Sequence, residues 1–465
     1  MSSSVDSSKA WEEYKPDDKN PWTMQKVAHL YRRAAFGANW QQLQEGVKLG
    51  PQKLIDRLLK GGPDLAAFED AFNSRVRSLQ RLLDISQAAS WWLARMLQSP
   101  HPLRERMTLF WHNHFATSFA KVQNVGYMVG QYQLMYQHAL GKFSDLLQGI
   151  SKDPAMLIWL DTTESKKGKP NENYARELME LFSLGIGNYS EKDIREAAKT
   201  FTGWGIQEQQ YHFSAKEHDT STKKVFGKEG NFNGEDIVQL CLNQKACPQF
   251  MIGKLYRFLV SETEAPTPEL LDPLIQDFGK NFDIQNIVEK ILRSNWFFSE
   301  VAYRQRIKSP VDFILGLVRA LEAKVGTTQL ARSLESLGQS LFQPPSVKGW
   351  DGGPTWLNGQ TLLFRHNLSL TMCQTRQKTE DGSQPLPVLI AKQHAKPGLT
   401  EALEFFLNLF IQNDLPADTK LRLMQYVIEQ SKQDYPAHWS ESRRQEHAMI
   451  SLSHVILTLP EYQLN

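Results

Sequence analysis

Cysteine is scarce and poorly placed for bonding: 465 residues hold three, Cys241, Cys247 and Cys373. An odd number with no CxxC pair and no Cys/His cluster excludes a disulfide framework and a structural zinc site as sources of stability. Net charge is lacking too. Lysine plus arginine total 53 against 51 aspartate plus glutamate, a formal +2, so no field of one sign points to nucleic acid or an anionic lipid surface as the main partner. No apolar run approaches the ~20 residues needed to cross a bilayer. The stretch 1–20 is rich in Ser, Asp, Glu and Lys and holds no signal-peptide core. These absences lead to the expectation of a cytoplasmic protein with no nucleic acid and no membrane as partner. Internal repeats and long low-complexity tracts are missing as well.

What is present is ordinary globular composition, 41% hydrophobic and 22% charged, in a chain long enough to bury roughly three quarters of its unfolded surface. Aromatic residues reach 11%, with 12 Trp, enough for a thick core or an aromatic-lined pocket. The apolar pattern predicts four regions: a polar tail over 1–24, a main helical domain over 25–373, a linker over 374–398, and a C-terminal helical segment over 399–465 packed on the main body. In the linker region the chain turns polar and loses periodicity.

Helical periodicity dominates. Val27, Leu30 and Tyr31 follow i, i+3, i+4 spacing in a helix that should run from Met24 and end at Gly37. Gln52 to Leu59, Ser78 to Gln98 and Leu103 to His114 follow the same rule. Ser309-Pro310 is a clear start, a capping hydroxyl followed by a proline tolerated in the first turn. Strand signals are few. The best is Gln210 to Gly227, where a turn around Asp219 to Thr222 separates Tyr211-His212-Phe213 from Lys224-Val225-Phe226. The expected fold is therefore mainly α, a multi-helix compact body with a small β-hairpin or irregular insertion.

Two polar segments interrupt the apolar helices. In Glu105 to His114, Glu105 and His112 are two turns apart on one face, while His114 points about 160° away from His112 if the helix continues. The His112-Asn113-His114 triplet lacks the surroundings of a nuclease. In Pro170 to Gly185, Asn171 suits a cap after proline. At about 100° per residue Asn173, Arg176, Glu177 and Glu180 then share one face, opposite Ala175, Leu178, Met179 and Phe182. The plain reading is a solvated face with an Arg176–Glu180 pair. The chemical reading uses two glutamates on one face: one near apolar residues keeps its proton, and one beside Arg176 stays ionised as a base. His112 or His218 would shuttle the proton, with Asp219 beside His218.

Loops offer pocket residues. Lys348-Gly349-Trp350 combines a cation, a residue without a side chain and an indole, which suits close approach to a planar or sugar-like ligand; a tight turn packed by Trp350 and Trp356 is the structural alternative. Trp204 would wall the same pocket. Ser165 to Lys169 precedes a helix start, where amides and basic side chains attract anions.

Several ordered words carry a resemblance. Asp153-Pro154-Ala155-Met156-Leu157, Trp159-Leu160-Asp161, Asn171-Glu172-Asn173-Tyr174-Ala175-Arg176-Glu177, Phe201-Thr202-Gly203-Trp204, His218-Asp219 and Pro344-Pro345-Ser346-Val347-Lys348-Gly349-Trp350 resemble, in order, the bacterial family called domain of unknown function 1800. The likeness runs from Arg32-Arg33-Ala34-Ala35-Phe36-Gly37 to Pro460-Glu461-Tyr462-Gln463. It implies no reaction and no cofactor. It does imply relatives that are exported and encoded beside a sulfatase-like family, which would be the expected protein partner; the export signal of those relatives has no counterpart here.

Three functional readings follow. The first is an enzyme doing acid-base chemistry on a polar small molecule, carbohydrate or phosphorylated, with His112, Arg176, Glu177, Glu180, His218 and Asp219 as catalytic candidates and Asn171, Trp204, Lys348 and Trp350 as ligand-binding candidates. The second is a non-catalytic helical binding or scaffold protein whose polar residues lock helices together. The third is a mononuclear metalloenzyme joining His112 or His114 to Glu177 or Glu180; no Glu-x-x-His pair for a two-iron site occurs in these segments, and no residue is assigned as a metal ligand.

Overall fold

Capping residues set where the helices begin. A computed structural model describes residues 9–465 except 82, 380–381, 395–397, 433–434 and 437. Thr23 caps the Met24–Ala34 helix by accepting from the Lys26 amide, and the chain turns away by Gly37. Ser309 and Asp312 form a reciprocal capping box ahead of Pro310–Ala320. The helix expected over Ser78 to Gln98 is two pieces, Val76–Leu79 and Ile85–Gln98, because Asp84 starts the second by accepting from the Ser86 amide at 2.9 Å. With 63% helix and three two-stranded sheets among the described residues, the fold is mainly α with small hairpin insertions.

The hairpin pairing differs from expectation. Tyr211 to Phe213 do not pair with Lys224 to Phe226; Gln210–Phe213 folds back on Trp204–Gln207, and Lys223–Val225 pairs with Lys228–Gly230. Each connection has two central residues at positive φ, Glu208 and Gln209 in one, Phe226 and Gly227 in the other. Such turns match strand twist and close local hairpins in preference to the longer one.

At the centre lies the Pro102–His114 helix, with eleven of its thirteen residues buried. It packs against Met24–Ala34, Pro51–Lys60, Ile85–Gln98 and Val125–His138. A helix sunk on every side normally carries apolar residues all round; this one carries Glu105, Arg106, His112 and His114. Glu105 Oε2 accepts from Trp92 Nε1 at 3.0 Å, its Oε1 accepts from Arg95 Nε at 2.8 Å, and Tyr132 donates to both oxygens at 3.1 Å. Arg106 pairs with Asp312 of the Pro310–Ala320 helix. Breaking such a buried pair from one side costs about 3–5 kcal/mol.

Both chain ends dock on this body. Residues 1–8 of the expected tail lie outside the described residues, but Ala10 and Tyr14 are fully buried and Trp11 Nε1 donates to the Leu270 carbonyl at 2.6 Å. The region expected as a linker holds a hairpin, Arg376–Thr379 with Gly382–Pro385, and a helix, Leu386–His394, that buries Leu386, Val388 and Ile390. Its apolar run is too short to show a period; residues 380–381 and 395–397 lie outside the described residues. Glu441–Thr458 packs on Gly359–Gln374 and Leu399–Ile411, and Tyr462 wedges between Phe313 and Phe410.

Asp153 heads the Pro154–Trp159 helix and is 5% exposed; its Oδ2 accepts from the Met156 amide at 2.9 Å and from Gln131 Nε2 at 2.8 Å. Burial pushes its carboxyl up to about 7 from 3.8, outweighing those donors. Between the two values the folded chain holds a proton the unfolded chain has lost, so stability falls as pH rises from about 4 to about 7 and stays at the lower level above that. The rise corresponds to on the order of 4 kcal/mol. Asp153→Asn keeps a cap and removes the buried charge. It should raise Tm by a few degrees at pH 8 and leave it nearly unchanged at pH 4; calorimetry at the two pH values checks this, and an equal shift at both would contradict the ionisation argument.

Candidate functional site

The sixth and seventh residues of Asn171 to Glu177 open onto an irregular stretch of helix. Asn173–Glu177 is α-helical, but Leu178–Ser183 is a π-helix, in which Leu184 N–H reaches back five residues to the Met179 carbonyl at 3.0 Å. The uniform 100° step assumed from sequence therefore stops at Leu178. The apolar side is as expected, with Ala175, Leu178, Met179 and Phe182 fully buried. Two carbonyls at the end of the π-turn take donors from elsewhere: His114 Nε2 donates to Phe182 O at 3.1 Å, and Lys254 Nζ donates to Leu181 O at 3.2 Å and to His114 Nδ1 at 3.0 Å. Burial lowers the Lys254 amine to about 8 and drives the His114 imidazolium well below its ordinary value.

On the solvent side, Arg176 does not pair with Glu180. It clamps Glu191 through two bonds of 2.8 and 2.9 Å and approaches Glu172 at 3.5 Å. Glu191 is the first residue of the Glu191–Ala198 helix, so the guanidinium joins two helices and is taken from Glu180 by a better two-pronged fit. Glu180 Oε2 instead accepts from Tyr189 OH at 2.6 Å. Glu177 is half-buried, and no hydrogen bond or ion pair reaches it among the described residues. Burial, followed by the negative charge of Glu180, raises its carboxyl above the usual range; Arg176 opposes the shift. Asn171, expected at the ligand, is held by backbone: its Oδ1 accepts from the Asn173 amide at 2.9 Å and its Nδ2 donates to Asp161 O at 3.2 Å.

The other candidates sit in two different places. His112 is fully buried against Trp92, Phe342 and Trp350, with ring centroids 5.2, 5.7 and 5.6 Å away. Its Nε2 accepts from the Phe342 amide at 3.1 Å. Phe342 is in the left-handed region at φ +64, so His112 holds a strained backbone. Burial alone keeps this imidazole neutral, with a pKa of about 3. Trp350 reaches the same spot through Asn113, whose Oδ1 accepts from the Trp350 amide at 2.7 Å while its Nδ2 donates to the Trp350 carbonyl at 3.3 Å. Lys348 is exposed and pairs with Asp351 at 2.7 Å. The Lys348-Gly349-Trp350 loop is thus the packed turn.

His218 is nearly buried; its Nδ1 donates to Thr202 O at 2.9 Å and its ring lies against Phe213. Asp219 Oδ1 accepts from the Ser221 amide and hydroxyl at 2.8 and 2.5 Å. Burial pushes the Asp219 carboxyl up, but those bonds, with Lys223 and Lys199, outweigh it and hold it below the usual range. Trp204 is core, 2% exposed, between Phe201 and Tyr211. Neither imidazole makes a hydrogen bond to Glu177 or Glu180. Among the described residues no three His, Cys, Asp or Glu side chains lie together as a metal-holding group, and His112 and His114 take their partners from different segments.

Lys254 escaped sequence reading although its signal was present, a single lysine inside the apolar run from Phe250 to Tyr256. Arg95 escaped as well. It bridges Glu105 to Glu69, with a 2.8 Å bond to each, and is ringed by Phe68, Phe72, Trp91, Tyr132 and Tyr136. A family model described as Protein of unknown function (DUF1800) matches residues 29–464. No curated protein and no solved structure matches the chain.

Gly349 stands at φ +83, and a Cβ there would lie 2.3 Å from Asn113 Oδ1 and 2.4 Å from Asn113 O. Gly349→Ala should therefore cost about 2–4 kcal/mol, from backbone strain and the clash together. Urea unfolding followed by tryptophan fluorescence measures it; a wild-type midpoint would show that the Asn113 clamp does not hold this loop.

Proposed function

Because the chain belongs to the family described as Protein of unknown function (DUF1800), whose description carries no activity, function has to be argued from its own side chains, and we propose that the Glu177–Glu180 face performs acid-base chemistry on a polar, uncharged substrate such as a carbohydrate. One observation carries this reading: Glu177 is an unpartnered, half-buried carboxyl whose proton is favoured by burial and by Glu180. Glu177 acts as the general acid. Glu180, which accepts a hydrogen bond from Tyr189, acts as the base. A carboxyl that keeps its proton next to a second carboxyl lets one site offer an acid and a base.

The π-turn supports the assignment. Such turns are rare and occur often at functional sites, and this one is held from below by His114 and Lys254. Charge narrows the substrate. Glu172 and Glu191 pair with the guanidinium of Arg176, and Glu177 and Glu180 lie beside each other on the same face, so the face repels a phosphate ester more than a neutral sugar. His112, His218, Asp219, Asn171, Trp204 and Trp350 act here as framework. That Asn171, His218 and Asp219 are taken up by protein hydrogen bonds and that Trp204 and Trp350 are packed in aromatic surroundings favours the second reading, a non-catalytic helical binding module.

Two measurements test the proposal. Carbon-13 carboxyl NMR should find Glu177 titrating above its ordinary value, lower in Glu180→Gln and higher in Arg176→Gln. In a screen of chromogenic glycosides and phosphate monoesters, Glu177→Gln should cut any glycoside turnover by at least about 100-fold with Tm preserved. Turnover that survives the substitution, or none by the wild type on either class, would leave the binding-module reading in its place.

A further inference from the structure

Buried positive charge gathers on the opposite side of the central helix's ion pair. Six cationic side chains, Arg32, Arg33, Arg106, Arg306, Lys308 and Arg365, are buried or nearly so around two buried carboxylates, Glu262 and Asp312. Burying a cation without an anion is expensive, so the excess calls for a partner. A cavity of about 40 Å³, partly open to solvent, lies among them, lined by Arg32, Lys308, Asp312, Gln412, Tyr462 and Asn465 with an apolar wall that includes Phe36 and Phe410. About 10–15 Å³ on this scale admits one water, so the space suits a molecule of a few heavy atoms.

The polar groups at the cavity are incompletely matched. Arg32 is 8% exposed; its NH1 donates to Gln412 Oε1 at 2.5 Å, but its Nε and NH2 are buried without a hydrogen-bond partner. Its guanidinium also lies over the Tyr303 ring, and the Tyr303 side chain is close enough to favour its charge without closing a hydrogen bond of good geometry. Lys308 is 5% exposed, and its ammonium sits 3.6 Å from the centre of the Tyr462 ring. Tyr462 OH is buried without a partner. The one carboxylate side chain in the lining is already occupied: Asp312 takes Arg106, the Ser309 hydroxyl at 2.9 Å and Asn465 Nδ2 at 3.1 Å. Asp414, whose charge acts on Arg32, pairs with Arg304 at 3.3 Å and accepts from Gln25 at 3.0 Å. Among the described residues neither Arg32 nor Lys308 forms an ion pair.

We propose that this cavity is a binding site for a small oxyanion, a carboxylate or a phosphate, whose oxygens are taken by the free edge of Arg32, the Lys308 ammonium and the Tyr462 hydroxyl. A guanidinium edge with two open N–H groups matches two oxygens of either anion. The apolar wall around Phe36 and Phe410 accommodates a short carbon chain. None of the lining residues belongs to the Glu177 face, so this site stands or falls independently of the acid-base proposal. Bound anion also relieves the burial of Lys308, whose ammonium is otherwise disfavoured first by desolvation and then by the charge of Arg32.

The test uses the full chain, with inorganic phosphate and sodium acetate as probes and sodium chloride of equal ionic strength as control. Phosphate or acetate should raise Tm by at least about 2 °C, saturably, and calorimetry should give one site per chain. A response to phosphate alone identifies a phosphoryl ligand, to acetate alone a carboxylate ligand, and to both a general oxyanion site. Arg32→Met and Lys308→Met, which remove a buried cation, should keep or raise the anion-free Tm and weaken binding at least tenfold. Lys280→Met, at an exposed lysine, should leave it unchanged. No response to either probe, a response equal to that of chloride, or full binding retained in both cavity variants would overturn the site.

Discussion

A polar side chain inside a protein has to be met by a partner, and the Pro102–His114 helix imposes that demand along its whole length. Glu105 is met by Trp92, Arg95 and Tyr132, Arg106 by Asp312, His112 by Phe342, Asn113 by Trp350, and His114 by Phe182 and Lys254. The partners come from several separate stretches of chain, Trp92 and Arg95 from one helix and Tyr132, Phe182, Lys254, Asp312 and Phe342 from others. The helix therefore fixes which segments converge on it, since leaving any one of these groups unmatched costs a sizeable part of the net stability of a folded protein. Hydrophobic burial alone would tolerate many arrangements of these helices; the polar matches select one.

The same requirement explains the division of the histidines. His112 and His114 lie two residues apart and face different neighbours, one supporting the strained backbone at Phe342, the other closing the π-turn at Phe182. Both are neutral because burial opposes their charge. A neutral imidazole can accept on one nitrogen and donate on the other: His114 does both, with Lys254 and Phe182, while His112 accepts from the Phe342 amide and its buried Nδ1 has no partner among the described residues. At the edge of this framework Glu177 is held by the helix but not satisfied by it.

Charge is arranged unevenly despite a nearly balanced total. Carboxylates collect at the surface around Arg176, while guanidinium and ammonium groups collect inside around Asp312 and Glu262. The first arrangement is cheap, because water screens it. The second is costly unless an anion completes it. Net charge, the quantity available from composition, averages the two away.

Much was legible in the residues themselves. The start at Ser309-Pro310, the buried stripe of Ala175, Leu178, Met179 and Phe182, the opposite directions of His112 and His114, the mainly α fold and the family all follow from local order, because caps and faces are set by residues within one or two turns of each other. The tertiary structure alone decided the rest. It paired Tyr211 with Ile206 and not with the later strand, gave Arg176 to Glu191, turned Lys348-Gly349-Trp350 into a packed loop, and set Asp312, 206 residues from Arg106, against it. A partner supplied across such a separation leaves no periodicity in the chain, since it depends on which surfaces meet once the helices pack.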